Sequence, residues 1–146
     1  MISIAKQTNQ SFFMKKTFTL SWCLLFSTLL HAQSNPQWMR YPSLSPDGNT
    51  IAFTYKGDLY RVASSGGTAQ QLTFHEAHDF MPQWSKDGKQ IAFASDRYGN
   101  FDVFVMAANG GVAKRLTYHS ADEYPFSFSY DNKSVVFGGV RQDEVN

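Results

Sequence analysis

Apolar residues along this chain fall into short blocks and not into helical stripes. Ile91-Ala92-Phe93-Ala94 and Val103-Phe104-Val105-Met106 are apolar at successive positions, as a strand is when both its faces are covered. Turn chemistry separates the blocks: Asp87-Gly88 before the first, Ser95-Asp96-Arg97 after it, Gly110-Gly111 after the second. Asp-Gly between apolar runs predicts a hairpin, because Gly accepts the positive φ the turn demands. Pro82 is expected to hold Met81 extended just ahead of that hairpin. Gln70-Gln71 and Lys114-Arg115 make later strands more polar, as an outer edge strand should be. The pattern predicts strands near 50–55, 58–63, 69–73, 90–95, 102–106, 113–117 and 134–138, and no helix beyond the amino-terminal segment.

The pattern repeats. Pro82-Gln83-Trp84-Ser85-Lys86-Asp87-Gly88 is preceded by Pro42-Ser43-Leu44-Ser45-Pro46-Asp47-Gly48 and followed by Tyr124-Pro125-Phe126-Ser127-Phe128-Ser129-Tyr130-Asp131-Asn132. Phe53, Phe93 and Phe137 follow these turns at offsets of 40 and 44, and Gln71-Leu72-Thr73-Phe74-His75 returns as Arg115-Leu116-Thr117-Tyr118-His119. A period of this length with strand patterning points to propeller blades. The fold expected is all-β: four-stranded antiparallel meanders, two units plus the start of a third. The units are expected at 41–80, 81–123 and 124–146. Propellers close with ~4 to 8 blades, so the chain is expected to be a fragment of a larger propeller and the front of a longer protein.

Composition changes little. Hydrophobic residues make up 42% and aromatics 16%, which suits a β-rich core. The formal charge of +1 misleads: Lys6, Lys15 and Lys16 precede residue 33, and residues 33–146 hold 10 basic and 12 acidic groups. No nucleic-acid partner is expected from that balance. Lys15-Lys16 followed by the apolar run to Leu30 predicts a signal peptide over 1–32, cut after Ala32, with 33–40 as a lead-in. The run is short for a membrane span. Contact with a membrane is therefore expected only through this transient segment, and the mature chain is expected to be exported, periplasmic or secreted. Met14 is an alternative start to Met1. Cys23 lies inside the apolar run, leaving the mature chain without thiols.

The stretch from Pro82 to Arg97, with Gly99-Asn100-Phe101-Asp102-Val103-Phe104-Val105-Met106, Gly110-Gly111 and Arg115-Leu116-Thr117, closely resembles the WD-like repeat of TolB and of tricorn-type proteases. The resemblance spans about 41–140. The first unit departs from it, with Thr54-Tyr55-Lys56-Gly57-Asp58 making a shorter turn where the second has Ser-Asp-Arg. The third has Phe128 for Trp and Asp131-Asn132 for Asp-Gly. TolB places an α/β domain before its blades. Repeats starting shortly after a signal resemble instead the exported tricorn-type serine peptidases, whose peptidase region follows far downstream. Prolyl-oligopeptidase-like enzymes are a third relative. The resemblance implies a blade module that admits substrate or docks a peptide or protein partner and is not itself catalytic. A non-enzymatic TolB-like scaffold is the alternative.

The candidate chemistry has plainer accounts. His75, Glu76, His78 and Asp79 are not spaced as a zinc helix, and their counterparts His119, Asp122 and Glu123 keep only part of the set, which favours a loop-bracing role. Asp96 is expected to accept backbone N–H groups and Arg97 to brace a neighbouring loop. Gly66-Gly67 and Gly110-Gly111 lack a following Lys-Ser/Thr and read as hairpin turns. Trp84, Phe93, Phe104, Phe128 and Phe137 are expected to be core between blades. No nucleophile elbow or Ser, His and acid constellation is present. The expected catalytic, cofactor-binding and metal residues of this segment are therefore none, and no cofactor is expected.

Overall fold

A computed structural model describes residues 38–139 of the chain; the expected signal peptide and the last residues lie outside them. Ten strands follow one another: β1 (Arg40–Leu44), β2 (Thr50–Tyr55), β3 (Asp58–Ala63), β4 (Gln70–Gln71), β5 (Asp79–Trp84), β6 (Gln90–Ser95), β7 (Asp102–Ala107), β8 (Lys114–Arg115), β9 (Glu123–Phe128) and β10 (Val135–Gly139). They form antiparallel meanders β1-β2-β3-β4 and β5-β6-β7-β8, and the two-stranded sheet of β9 and β10. The fold is all-β, in successive propeller blades. The first strands lie side by side, β1 against β5 and β5 against β9.

The repeat is anchored at a Ser-x-Asp turn. The Ser85 hydroxyl donates to Asp87 Oδ1 (2.7 Å) and accepts the Gln90 N–H (2.9 Å), while Asp87 Oδ1 also accepts the Lys89 N–H (3.1 Å). Ser45 and Asp47 do the same before Thr50, and Ser129 and Asp131 before Ser134. The fourth residue of each turn has positive φ: 74° at Gly48, 71° at Gly88 and 60° at Asn132. Gly takes that conformation freely and Asn with little cost, which is why Asp-Gly and Asp-Asn serve alike.

Counting back from this anchor corrects two expectations. Met81 is not extended: its φ is +55°, and Tyr41 has +53°. Both sit in bulges, where two residues of the inner strand oppose one of its partner, between the pairs Phe80↔Ala94 and Gln83↔Ala92 and between Arg40↔Thr54 and Ser43↔Ala52. The bulge overrides the local preference of a residue before proline. In the third unit Tyr124 pairs with Gly138, so by register Tyr124 takes the place of Phe80 and not of Met81. The prolines that align in sequence are therefore one residue out of step in space.

The outer strands are two residues long where five were predicted. The cause is a side chain: Leu59 N–H donates to Thr73 Oγ1 (3.0 Å), and Val103 N–H to Thr117 Oγ1 (2.9 Å), where a ladder would use a carbonyl. A short edge gives little template for pairing with another chain.

The core lies between the first two sheets, where Ala52, Leu59 and Leu72 meet Ile91, Phe93, Phe104 and Met106. Each large side chain so buried stabilises the fold by roughly 1.5–3 kcal/mol. Polar bolts fix the spacing between blades. Trp84 Nε1 donates to the Ser43 carbonyl (2.9 Å), and Lys86 N–H donates to Asn132 Oδ1 (2.6 Å). Asp79 N–H reaches the Gly57 carbonyl and Glu123 N–H the Phe101 carbonyl, both at 2.7 Å.

Candidate functional site

The loops that enter β5 and β9 converge with the β2–β3 and β6–β7 turns at one end of the blades. Here Asp96 Oδ1 accepts the His78 N–H (2.8 Å). Arg97 Nη2 pairs with the fully buried Asp79 at 2.8 Å and its Nε donates to Ser95 Oγ (2.9 Å). The guanidinium lies over the rings of Phe104 and Phe93, 4.9 and 5.6 Å from their centroids. Stacking and pairing together fix its plane, which Lys could not reproduce. Burial pushes the nearby Asp58 carboxyl up and the Asp79 charge adds to this, while the Thr73 hydroxyl, Gln71 amide and Arg97 act against them. At the next junction Arg115 pairs with buried Asp102 (2.6 Å), and Glu123 occupies Asp79's place, fully buried. The offset of 44 carries Arg97 onto Arg141, outside the described residues. The sequence reading singled out Asp96-Arg97 but not Asp79 as its buried partner. The signal available was the acid at matched positions 79 and 123.

The histidine segment does not gather a metal set. His75 Nδ1 accepts the Ala77 N–H and His119 Nδ1 the Ala121 N–H, each at 3.0 Å, so both imidazoles brace their own loops. Among the described residues no three His, Cys, Asp or Glu side chains are grouped to hold a metal. Gly66 and Gly110, both at φ 92°, donate N–H to the Ala63 and Ala107 carbonyls as hairpin turns.

Two further features went unread in the sequence. One is an aromatic cluster spanning all three inner strands. Phe80 meets Phe101 at 4.8 Å, His78 at 5.2 Å, Tyr41 at 5.4 Å and Tyr124 at 5.7 Å between ring centroids. The other is a hollow of about 440 Å³ beside it, lined by Trp38, Arg40, Tyr41, Thr54, Lys56, Gly57 and His78. No acid lines it. Neither feature is local in sequence, so no spacing signals it.

Against known proteins, residues 36–146 match the family described as the tricorn protease N-terminal beta propeller domain. The chain belongs to that family. It is also 36% identical over 56 residues to a Protein TolB homolog of Chlorobium luteolum, covering 38% of this chain and 13% of that protein. To Dipeptidyl-peptidase 5 of Porphyromonas gingivalis it is 34% identical over 71 residues, 42% of this chain and 10% of that protein. The chain thus spans about a tenth of the length of these relatives. Among solved structures, a putative TolB from Agrobacterium tumefaciens superposes with a TM-score of 0.67 at 24% identity, over 77% of this chain and 42% of that one. That likeness is one of fold, and it places these blades in a propeller.

Proposed function

We propose that the chain is the amino-terminal propeller of an exported tricorn-type serine peptidase, acting in substrate access or protein docking while catalysis resides elsewhere in the protein. The observation that carries the reading is the family match over 36–146, nearly all of the expected mature segment. Under it, 1–32 is a signal removed at Ala32, 33–40 leads in, and 41–146 supplies the blades, with units at 41–80, 81–123 and 124–146. The physical role is selection. Blades in a closed ring leave a narrow axial passage that extended or short peptides enter and folded proteins do not.

A second reading keeps the export and drops the enzyme: a TolB-like scaffold that binds a protein partner. The likeness to the Agrobacterium tumefaciens structure supports it. Labelling the natural full-length protein with a fluorophosphonate, which acylates activated serines, separates the two. Labelling that a peptide substrate competes away supports the peptidase. A full-length, folded protein that takes no label overturns it and leaves the scaffold. In the same sample, mass spectrometry is expected to find Gln33 at the amino terminus; an intact Met1 or Met14 overturns export by signal cleavage.

A further inference from the structure

We infer that the hollow between the first two blades is a binding site for a small aryl carboxylate, its carboxylate met by Arg40, Lys56 and the Thr54 hydroxyl and its ring by Trp38 and Tyr41. This goes beyond the peptidase reading and does not rest on it.

The hollow exists because the first blade departs from the repeat. Asp79 N–H bonds the Gly57 carbonyl as Glu123 N–H bonds that of Phe101, so Gly57 stands where the second blade has Phe101. The first β2–β3 turn is four residues shorter, running from Tyr55 to Asp58 where the second runs from Ser95 to Asp102. At the second junction Phe101 packs against Phe80 and Tyr124, with centroids 4.8 and 5.9 Å away, and fills the corresponding space. At the first, glycine leaves it open.

The lining is built for an anion. Arg40 and Lys56 have no ion-pair partner among the described residues; Arg40 lies over the Trp38 ring (5.5 Å) and Lys56 over Tyr55 (5.4 Å). Thr54 is only 3% exposed, and its Oγ1 has no hydrogen-bond partner among the described residues. A buried unpaired hydroxyl is costly, and a bound ligand is one way for its missing bond to be supplied. The fold does not require it: by register, Thr54 corresponds to Ala94 and Gly138 in the next two blades. A volume near 440 Å³ suits a one-ring ligand, with a flat apolar body against Trp38 and Tyr41 and the charge at the cationic end.

The test is titration of phenylacetate into the full chain, followed by calorimetry. Saturable binding with Kd of about 1 mM is expected, the range open to a ligand of roughly ten non-hydrogen atoms. The double variant Arg40→Gln, Lys56→Asn should weaken it at least about tenfold; Asn suits the positive φ at 56, and a retained thermal midpoint checks the fold. Thr54→Val should weaken binding and raise Tm together, a combination a merely structural hydroxyl would not give. Lys86→Gln, near the Asp87-Gly88 turn, should leave Kd unchanged. The proposal is overturned if phenylacetamide binds as tightly as phenylacetate, if acetate does so, if Lys86→Gln weakens binding as much as the double variant, or if phenylacetate shows no saturable binding.

Discussion

β6 and β10 hold the same place in successive blades, each following a Ser-x-Asp turn and pairing with the inner strand of its sheet. Ala92 and Phe93 of β6 are 0% exposed, whereas their counterparts Val136 and Phe137 of β10 are 53% and 38% exposed. The strand sequences do not account for this, since both are apolar on both faces. The second sheet has a neighbour on each side, and the third, among the described residues, has one. Burial on both faces is thus a property of the stack. A blade's apolar pattern records the neighbours it is built to have.

The largest effect that would break this comparison is in the core. Phe93→Ala should destabilise the chain by about 3–5 kcal/mol, and Phe137→Ala by about 1 or less, measured by denaturant unfolding. Equal losses would mean that neighbour packing does not set the difference. In a longer protein that adds a blade beyond β10, the Phe137 loss should rise toward the Phe93 value. Arg97→Met should cost about 3 kcal/mol, because it leaves the buried Asp79 carboxylate without its countercharge. A loss under about 1 kcal/mol would show that Asp79 is held by other groups.

The turns sharpen the comparison at lower energies. Gly88→Val should cost roughly 1–3 kcal/mol. Among the described residues a Cβ there meets only Pro46 Cδ at 3.8 Å, so the penalty comes from φ and not from crowding. In the third blade Asn132→Gly relieves φ but deletes the bond to Lys86 N–H, and a net loss of about 0.5–1 kcal/mol is expected. A net gain would show that this inter-blade bond contributes nothing. Lys89→Ala, whose 3.7 Å pair with Asp87 is solvated, should change stability by under about 0.5 kcal/mol.

The smallest effect is a pH slope shared by all three blades. The Ser45, Ser85 and Ser129 hydroxyls, with the backbone N–H groups, hold the Asp47, Asp87 and Asp131 carboxyls below the ordinary range. A depressed folded-state pKa contributes stability above the unfolded value, about 3.9, and loses it as pH falls through the folded value. Acid titration should therefore lower Tm below about pH 4, less so in Asp87→Asn than in the parent chain. An identical slope in both would exclude this turn as a source.

The sequence by itself determined what is local and repeated. Asp-Gly and Asp-Asn set the turns because few residues accept positive φ, and the matched apolar blocks set the strands, their order and the blade architecture. It also located Asp96-Arg97 and the loop histidines. It could not supply Asp79 as the partner of Arg97, because that pairing depends on which residue enters β5 buried. Nor could it supply the bulge that places Met81 at positive φ against the pull of Pro82, or the one-residue step between the aligned prolines. Gly57 and the shorter first turn were visible as a departure from the repeat. That the departure opens a hollow over an unpaired Thr54 was decided only when two blades met, because space and burial belong to the packed pair and not to either strand.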